Sequence, residues 1–207
     1  MTKQSNQAPD DTTRIGDADA ALRRILRTAP QDLWLDTIRR ADMTRHADLI
    51  HWMLNRTECD FAVAVHAFYH SDPVSHLTDP LPLPQRPDTT QHFATILRNW
   101  DTGFYRNHRL GLNDQDVDPR LIRRVNQKLL AWPRGALPFH VPPKFLDLTG
   151  GAPIDLPTHL DPNEARHLWQ LYRTLGLRVR RSAPGLPRRF ARVGKALGRI
   201  NFQSARR

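Results

Sequence analysis

The chain has a single cysteine, Cys59, in 207 residues. An internal disulfide is thereby excluded, and so is any Cys-x-x-Cys zinc or redox centre. Nowhere does a run of about 18 apolar residues occur, and the opening stretch MTKQSNQAPDDTTRIGD lacks the apolar segment of a secretory signal, so a soluble cytoplasmic protein is expected. Alternating strand patterns are also missing. The only candidate is the short GLRVRRS from Gly176 to Ser182, which leaves a mostly α fold class. LTGGAP, residues 148–153, is not followed by the Lys-Ser/Thr of a phosphate loop and reads as a turn.

The last absence is of acid. After Glu164 there is no Asp or Glu, whereas twelve Arg and Lys follow it; subtracting them from the net charge of +10 leaves −2 for residues 1 to 164. A nearly neutral body is thus joined to a strongly basic end. Eleven of the twelve cations are arginine, which pairs bidentately with phosphate and stacks on bases.

Length and composition fit one helical domain, residues 17–176, flanked by a disordered polar N-terminus, 1–16, and a basic tail, 177–207. Helical periodicity predicts a first helix from near Asp17, with Ala21, Leu22, Ile25 and Leu26 on its apolar face, and a second after Pro30 with Leu33, Trp34, Leu35 and Ile38. A third, capped by Thr44, buries Leu49, Ile50, Trp52 and Met53. A fourth follows at once, capped by Thr57 with Asp60 in its first turn. Connections this short argue for antiparallel neighbours, as in a bundle or stacked helix pairs.

Five prolines in SDPVSHLTDPLPLPQRPD, residues 71–88, predict a loop with extended pieces. Helix resumes at Asp88, with Gln91 reaching back to the cap and Phe93, Ile96, Leu97 and Trp100 inward, and is ended by Gly103. Asp118-Pro119 opens another, with Leu121, Ile122, Val125, Leu129 and Leu130 inward. The proline-rich stretch from Trp132 carries Leu137, Phe139, Val141, Phe145, Leu146 and Leu148 and is expected to wrap the body. Asp161-Pro162 opens a final helix that Gly176 closes. The five tryptophans fall mostly on apolar faces and read as core.

Two places carry candidate chemistry. On a helical wheel Phe61, Ala64, Val65 and Phe68 share one face, and Cys59, His66 and His70 the opposite one. A His pair at i and i+4 can hold one metal ion. Yet Cys59 lies about 10.5 Å along the axis from His66, and the residue after His66 is Ala67 where the His-Glu-x-x-His motif has Glu. The favoured reading is a packed second face, with no metal and no cofactor; a metal site and a Cys59 nucleophile with His66 as base are the alternatives.

The second place is the basic end. In PRRFARVGKALGRINF, residues 187–202, Phe190, Val193, Leu197 and Ile200 form an apolar stripe opposite Arg188, Arg189, Arg192, Lys195 and Arg199. Together with Arg178, Arg180 and Arg181 these cations are the candidate nucleic-acid-binding residues, suited to phosphate contacts without sequence readout. Packing of the stripe on the body, docking on an anionic membrane surface and insertion into a protein groove are the competing readings.

NRTECDFAVAVHAFYHSDPVSHL (55–77), ILRNWDTGFYRNHRLGL (96–112) and Asp118-Pro119 together resemble a small uncharacterised bacterial family of unknown function. Its pattern is an Asn, a Cys-Asp pair, an alanine-rich helix ending in aromatics and a Gly-Phe-Tyr. The matching positions are Asn55, Cys59, Asp60, Ala62, Ala64, Tyr69, Gly103, Phe104 and Tyr105, within residues 46–119; Val63-Ala64 stands where the family usually has Thr-Ala. The resemblance implies a compact helical module and carries over no catalytic residue. The expectation is a non-enzymatic scaffold whose tail binds RNA or DNA. The alternatives are an adaptor or immunity-type protein acting through its helical surface and, third, a cysteine- or metal-dependent hydrolase.

Overall fold

A computed structural model describes residues 11–147, 152–153 and 160–179. It is a mostly helical, compact bundle of α1 (Asp11–Thr28), α2 (Gln31–Arg40), α3 (Ala47–Leu54), α4 (Phe61–His70), α5 (Pro73–Thr78), α6 (His92–Asp101), α7 (Pro119–Leu130) and α8 (Pro162–Leu175). The only regular strands among the described residues are a two-residue parallel pair, β1 (Leu110–Gly111) with β2 (Ala152–Pro153). The basic helix expected over residues 187–202 lies outside the described residues.

The centre of the bundle is α4. Its sequence FAVAVHAFY is apolar almost all round, and every residue from Phe61 to Tyr69 is buried. A helix without a polar face must be covered on all sides, and α2, α3, α5 and α6 supply the cover. The closest pairings are α1 with α8, α2 with α4, α3 with α6 and α5 with α7. The short connections therefore do not make sequential neighbours the principal partners. Apolar faces turned toward α4 and toward the distant α8 choose the pairing instead.

An aromatic cluster fills the space beside α4. Phe68 packs on Phe93 and Phe145 with centroids 5.4 and 5.0 Å apart, and Phe61 meets Trp100 and Phe145 at 5.5 and 5.2 Å. Fully burying one such ring stabilises by about 1.5–3 kcal/mol. Phe145 comes from a single 3-10 turn, Pro143–Leu146, in the proline-rich wrapping stretch. That stretch does wrap the body: Val141 and Phe145 are buried, Phe139 sits edge-on to Phe93 at 5.3 Å, Trp132 Nε1 donates to Leu77 O, and Tyr69 OH to Phe145 O, both at 2.9 Å.

Several boundaries differ from the sequence expectation for local reasons. α1 starts at Asp11, so residues 11–16 extend the first helix rather than the polar tail. Residues 1–10 lie outside the described residues. Thr44 does not cap α3, whose N-cap is His46 without a side-chain cap bond; the Asp42 carboxylate closes the preceding turn, accepting from the Thr44 and Arg45 amides at 3.0 and 2.9 Å. Likewise Asp60, not Thr57, caps α4, accepting from Ala62 N at 2.9 Å. Within the proline-rich stretch 71–88 a short helix, α5, forms because Pro73 occupies its first turn, where a missing N–H is harmless, and Asp72 caps it. Leu130, expected inward on α7, is 77% exposed.

Other expected devices are present. Asp118 caps α7, and Asp161 with Glu164 closes a reciprocal capping box on α8; Gln91 Oε1 does accept from Asp88 N at 3.0 Å, but α6 starts only at His92, with Gln91 and not Asp88 at its N-cap. Gly176, at φ +74°, ends α8, with Leu177 N donating back to Tyr172 O at 2.9 Å.

Candidate functional site

Cys59, His66 and His70 do not converge. Asp60 has extended backbone angles as the helix cap, so Cys59 precedes α4 and the helical wheel does not apply to it. Its thiol is wholly buried, and burial, then the nearby Asp60 and Glu58 charges, push it well above its ordinary value, which keeps it protonated. No group of three or more metal-ligating side chains occurs among the described residues.

His66 and His70 do meet. Their rings lie 4.3 Å apart, one turn apart on α4, beside an ion pair in which Arg39 Nε and Nη2 donate to Asp116 Oδ1 and Oδ2 at 2.6 and 2.7 Å. His70 Nε2 donates to Asp116 O at 3.1 Å. His66 is buried, with no partner for Nδ1, and desolvation holds its pKa well below the ordinary histidine value, helped by the His70 and Arg39 charges. The arrangement holds a neutral imidazole inside a wall. The base beside it, His70, spends its Nε2 on Asp116 O.

The residues carrying the family-like pattern have a structural role. The α3–α4 junction is knitted to the loop after α6: Tyr105 OH donates to Leu54 O at 2.9 Å, Asn107 Nδ2 to Glu58 O at 3.0 Å, Phe61 N to Asn107 O at 2.7 Å, and Arg109 N to Asp60 Oδ2 at 3.0 Å. Asp60 is buried, and desolvation raises its pKa against the pull of these amides. Tyr105 takes a left-handed backbone, φ 59°, which costs an aromatic residue energy; full burial and its hydroxyl bond hold it there.

Of the candidate nucleic-acid-binding residues only Arg178 is described. Arg180, Arg181, Arg188, Arg189, Arg192, Lys195 and Arg199 lie outside the described residues, as do Gly150 and Gly151 of the expected turn. Arg178 leaves α8 by a fixed route. Its N–H donates to Arg40 O at 3.0 Å, and Arg40 Nη1 donates to Arg178 O at 2.9 Å. The side chains of Arg45, Arg173 and Arg178 are exposed, and the Arg45 guanidinium lies directly over Gly176. The Arg45 and Thr44 amides, which share one oxygen of the Asp42 carboxylate, lower its pKa, with the His46 and Arg178 charges adding less.

Arginine meets aromatic surface elsewhere on the body. The Arg40 guanidinium sits 4.8 Å from the Trp169 ring and 5.6 Å from Tyr172, and Arg23 and Arg56 flank Trp52 at 5.6 and 5.9 Å. Trp34, stacked on Trp52 at 5.5 Å, is fully buried, whereas Trp52, Trp100, Trp132 and Trp169 are half-buried. The expectation that tryptophan means core therefore holds fully for Trp34 alone.

One basic surface escapes a charge count taken over the whole body. α7 carries Arg120, Arg123, Arg124 and Lys128 and no acid in twelve residues. The signal is legible in PRLIRRVNQKLL but is averaged away in the −2 of residues 1 to 164.

Comparison with protein-family models, curated proteins and solved structures gives no match.

Proposed function

We propose that this is a non-enzymatic, cytoplasmic interaction protein, akin to the bacterial family its pattern resembles, whose arginine-rich C-terminal segment binds RNA or DNA through the phosphate backbone. The observation that supports this best is the root of that segment. The backbone N–H and C=O of Arg178 are both engaged by Arg40, and its side chain is exposed, as are those of Arg45, which lies over Gly176, and of Arg173 near the end of α8. Arginine suits the role because its planar fork grips phosphate oxygens bidentately and stacks on bases. The buried, protonated Cys59 thiol speaks against a cysteine hydrolase. Exposed Leu81 (70%) and Leu130 (77%) support the second reading, an adaptor acting through its helical surface.

The test is binding of the full chain, and of a variant with Arg188, Arg189, Arg192 and Arg199 changed to Gln, to a labelled RNA and a DNA duplex over a salt series. The reading expects tight binding by the native chain, a steep loss with salt, and a slope shallower by about one unit for each phosphate contact removed, with an unchanged melting temperature. Equal binding by the two proteins overturns it.

A further inference from the structure

The outer face of α7 is the strongest unexplained surface on the body. Along this helix Arg120, Arg123, Arg124 and Lys128 follow one another at intervals of three, one and four, which places them on one side of the wheel with Gln127 among them. Arg120, Arg123, Arg124 and Gln127 are exposed and Lys128 is half-exposed. The opposite side holds Val125, buried, and Leu121, Ile122 and Leu129, packed against the core; α5 is the helix that side rests on. The cationic face is thus fixed in place by its own apolar face and directed outward.

Its charges are also uncompensated. Four arginines elsewhere on the body are matched closely to acid: Arg23 to Asp19, Arg39 to Asp116, Arg40 to Asp36 and Arg56 to Glu58, all within 2.8 Å. None of the four α7 cations forms an ion pair with a described residue. Asp118, at the start of the helix, accepts from Arg120 N as the cap. Four like charges so close repel one another, a cost that an anionic partner would relieve.

We propose that the outer face of α7 is a second phosphate-binding track, which engages the backbone of a nucleic acid independently of the C-terminal segment. From Arg120 to Lys128 the rise is about 12 Å, a length that faces roughly three to four phosphates of one strand. Apart from the exposed Leu130 at the C-terminal end of the helix, the outward residues are polar, and one aliphatic side chain is too little apolar surface to hold a helix in a bilayer, which argues for nucleic acid over a membrane surface. The contact proposed is to backbone phosphates, which carry no sequence information. The track rests on the polyanion reading given above but not on the tail.

The experiment compares four full-length proteins by titration of labelled duplex DNA and single-stranded RNA across a salt series: the native chain, an α7 variant (Arg120→Gln, Arg123→Gln, Arg124→Gln, Lys128→Gln), the tail variant above, and an α7 variant that keeps charge (Arg120→Lys, Arg123→Lys, Arg124→Lys). The α7 Gln variant is expected to bind at least tenfold more weakly at 0.1 M salt, with a log–log slope shallower by about three units on DNA. The Lys variant should keep the native slope, which separates charge from any effect on folding. An α7 Gln variant with native affinity and slope overturns the track while leaving the tail reading intact. The converse, loss with the α7 variant and none with the tail variant, retains the track and refutes the tail. Absence of nucleic-acid binding by the native chain refutes both.

Discussion

Arg40 and Arg178, 138 positions apart, hold each other by two hydrogen bonds, Arg178 N–H to Arg40 O and Arg40 Nη1 to Arg178 O. The same Arg40 guanidinium donates from Nε and Nη2 to Asp36 Oδ2 and Oδ1 at 2.8 and 2.9 Å and lies against Trp169 and Tyr172. One side chain thus ties α2 to the C-terminal end of α8. Nearby, Asp42 N donates to His46 Nδ1 at 2.8 Å, which leaves the proton on Nε2 to donate to Leu175 O at 3.0 Å. Thr37 Oγ1 donates to Leu33 O at 2.7 Å, so Tyr172 OH is the donor in its 2.7 Å contact with Thr37.

Arg40→Ala is therefore expected to cost about 3–5 kcal/mol, because it leaves Asp36 buried without its counter-charge. The double variant Arg40→Met with Asp36→Leu should recover much of that loss, since no charge is then stranded. Urea denaturation of both proteins measures the difference, and equal losses would show that the pair is not coupled.

Cys59 is expected to resist alkylation by iodoacetamide in the folded protein at pH 8 and to react once urea unfolds it, because its thiol is buried and kept protonated. Rapid labelling of the native chain would mean an accessible thiolate and would reopen cysteine chemistry.

Stability should fall as pH drops below about 6.5. Burial lowers the pKa of His66 strongly, and of His51, His76 and His92 to a lesser degree, from an ordinary value of 6.5. The unfolded chain then takes up protons near 6.5 that the folded chain refuses until lower pH, so acid favours unfolding by up to about 1.4 kcal/mol per pH unit per histidine. Urea midpoints at pH 7.5 and 5.5 measure it. His66→Leu should make the pH dependence shallower; an unchanged slope would exclude His66 as a contributor.

Gly176→Ala is expected to destabilise by about 1 kcal/mol or more, since φ +74° strains a Cβ and the Arg45 guanidinium occupies the space where it would stand. Asp161→Ala should cost about 0.5–2 kcal/mol by opening the capping box. Thermal melts of both variants test whether the end of α8 is as firmly set as its beginning.

Local signals in the sequence marked the helices and many of their ends. The caps Asp118 and Asp161, the reach of Gln91 to Asp88 and the stop at Gly176 act within a few residues, so they are visible in the chain alone. The absence of strand alternation and of a long apolar run likewise set a mostly helical class with no helix, among the described residues, long and apolar enough to cross a membrane. Asp60 was harder to read because Thr57 offers a competing cap, and a tertiary contact chooses between them. Asp60 wins because it also accepts Arg109 N from a loop 49 residues away.

What the sequence by itself determined is where the helices other than α5 lie, which side of most of them is apolar, and that the charge is concentrated at the C-terminal end. Which faces meet was decided only by the tertiary structure. Helical periodicity says that a face must be buried but not against what, so α1 finds α8, α4 loses every exposed face but the end at His70, and Arg40 finds Arg178 only once the chain has closed on itself. The same limit hid the outer face of α7: four cations are plain in the sequence, but that they are held outward and left without acid partners follows from what packs behind and beside them.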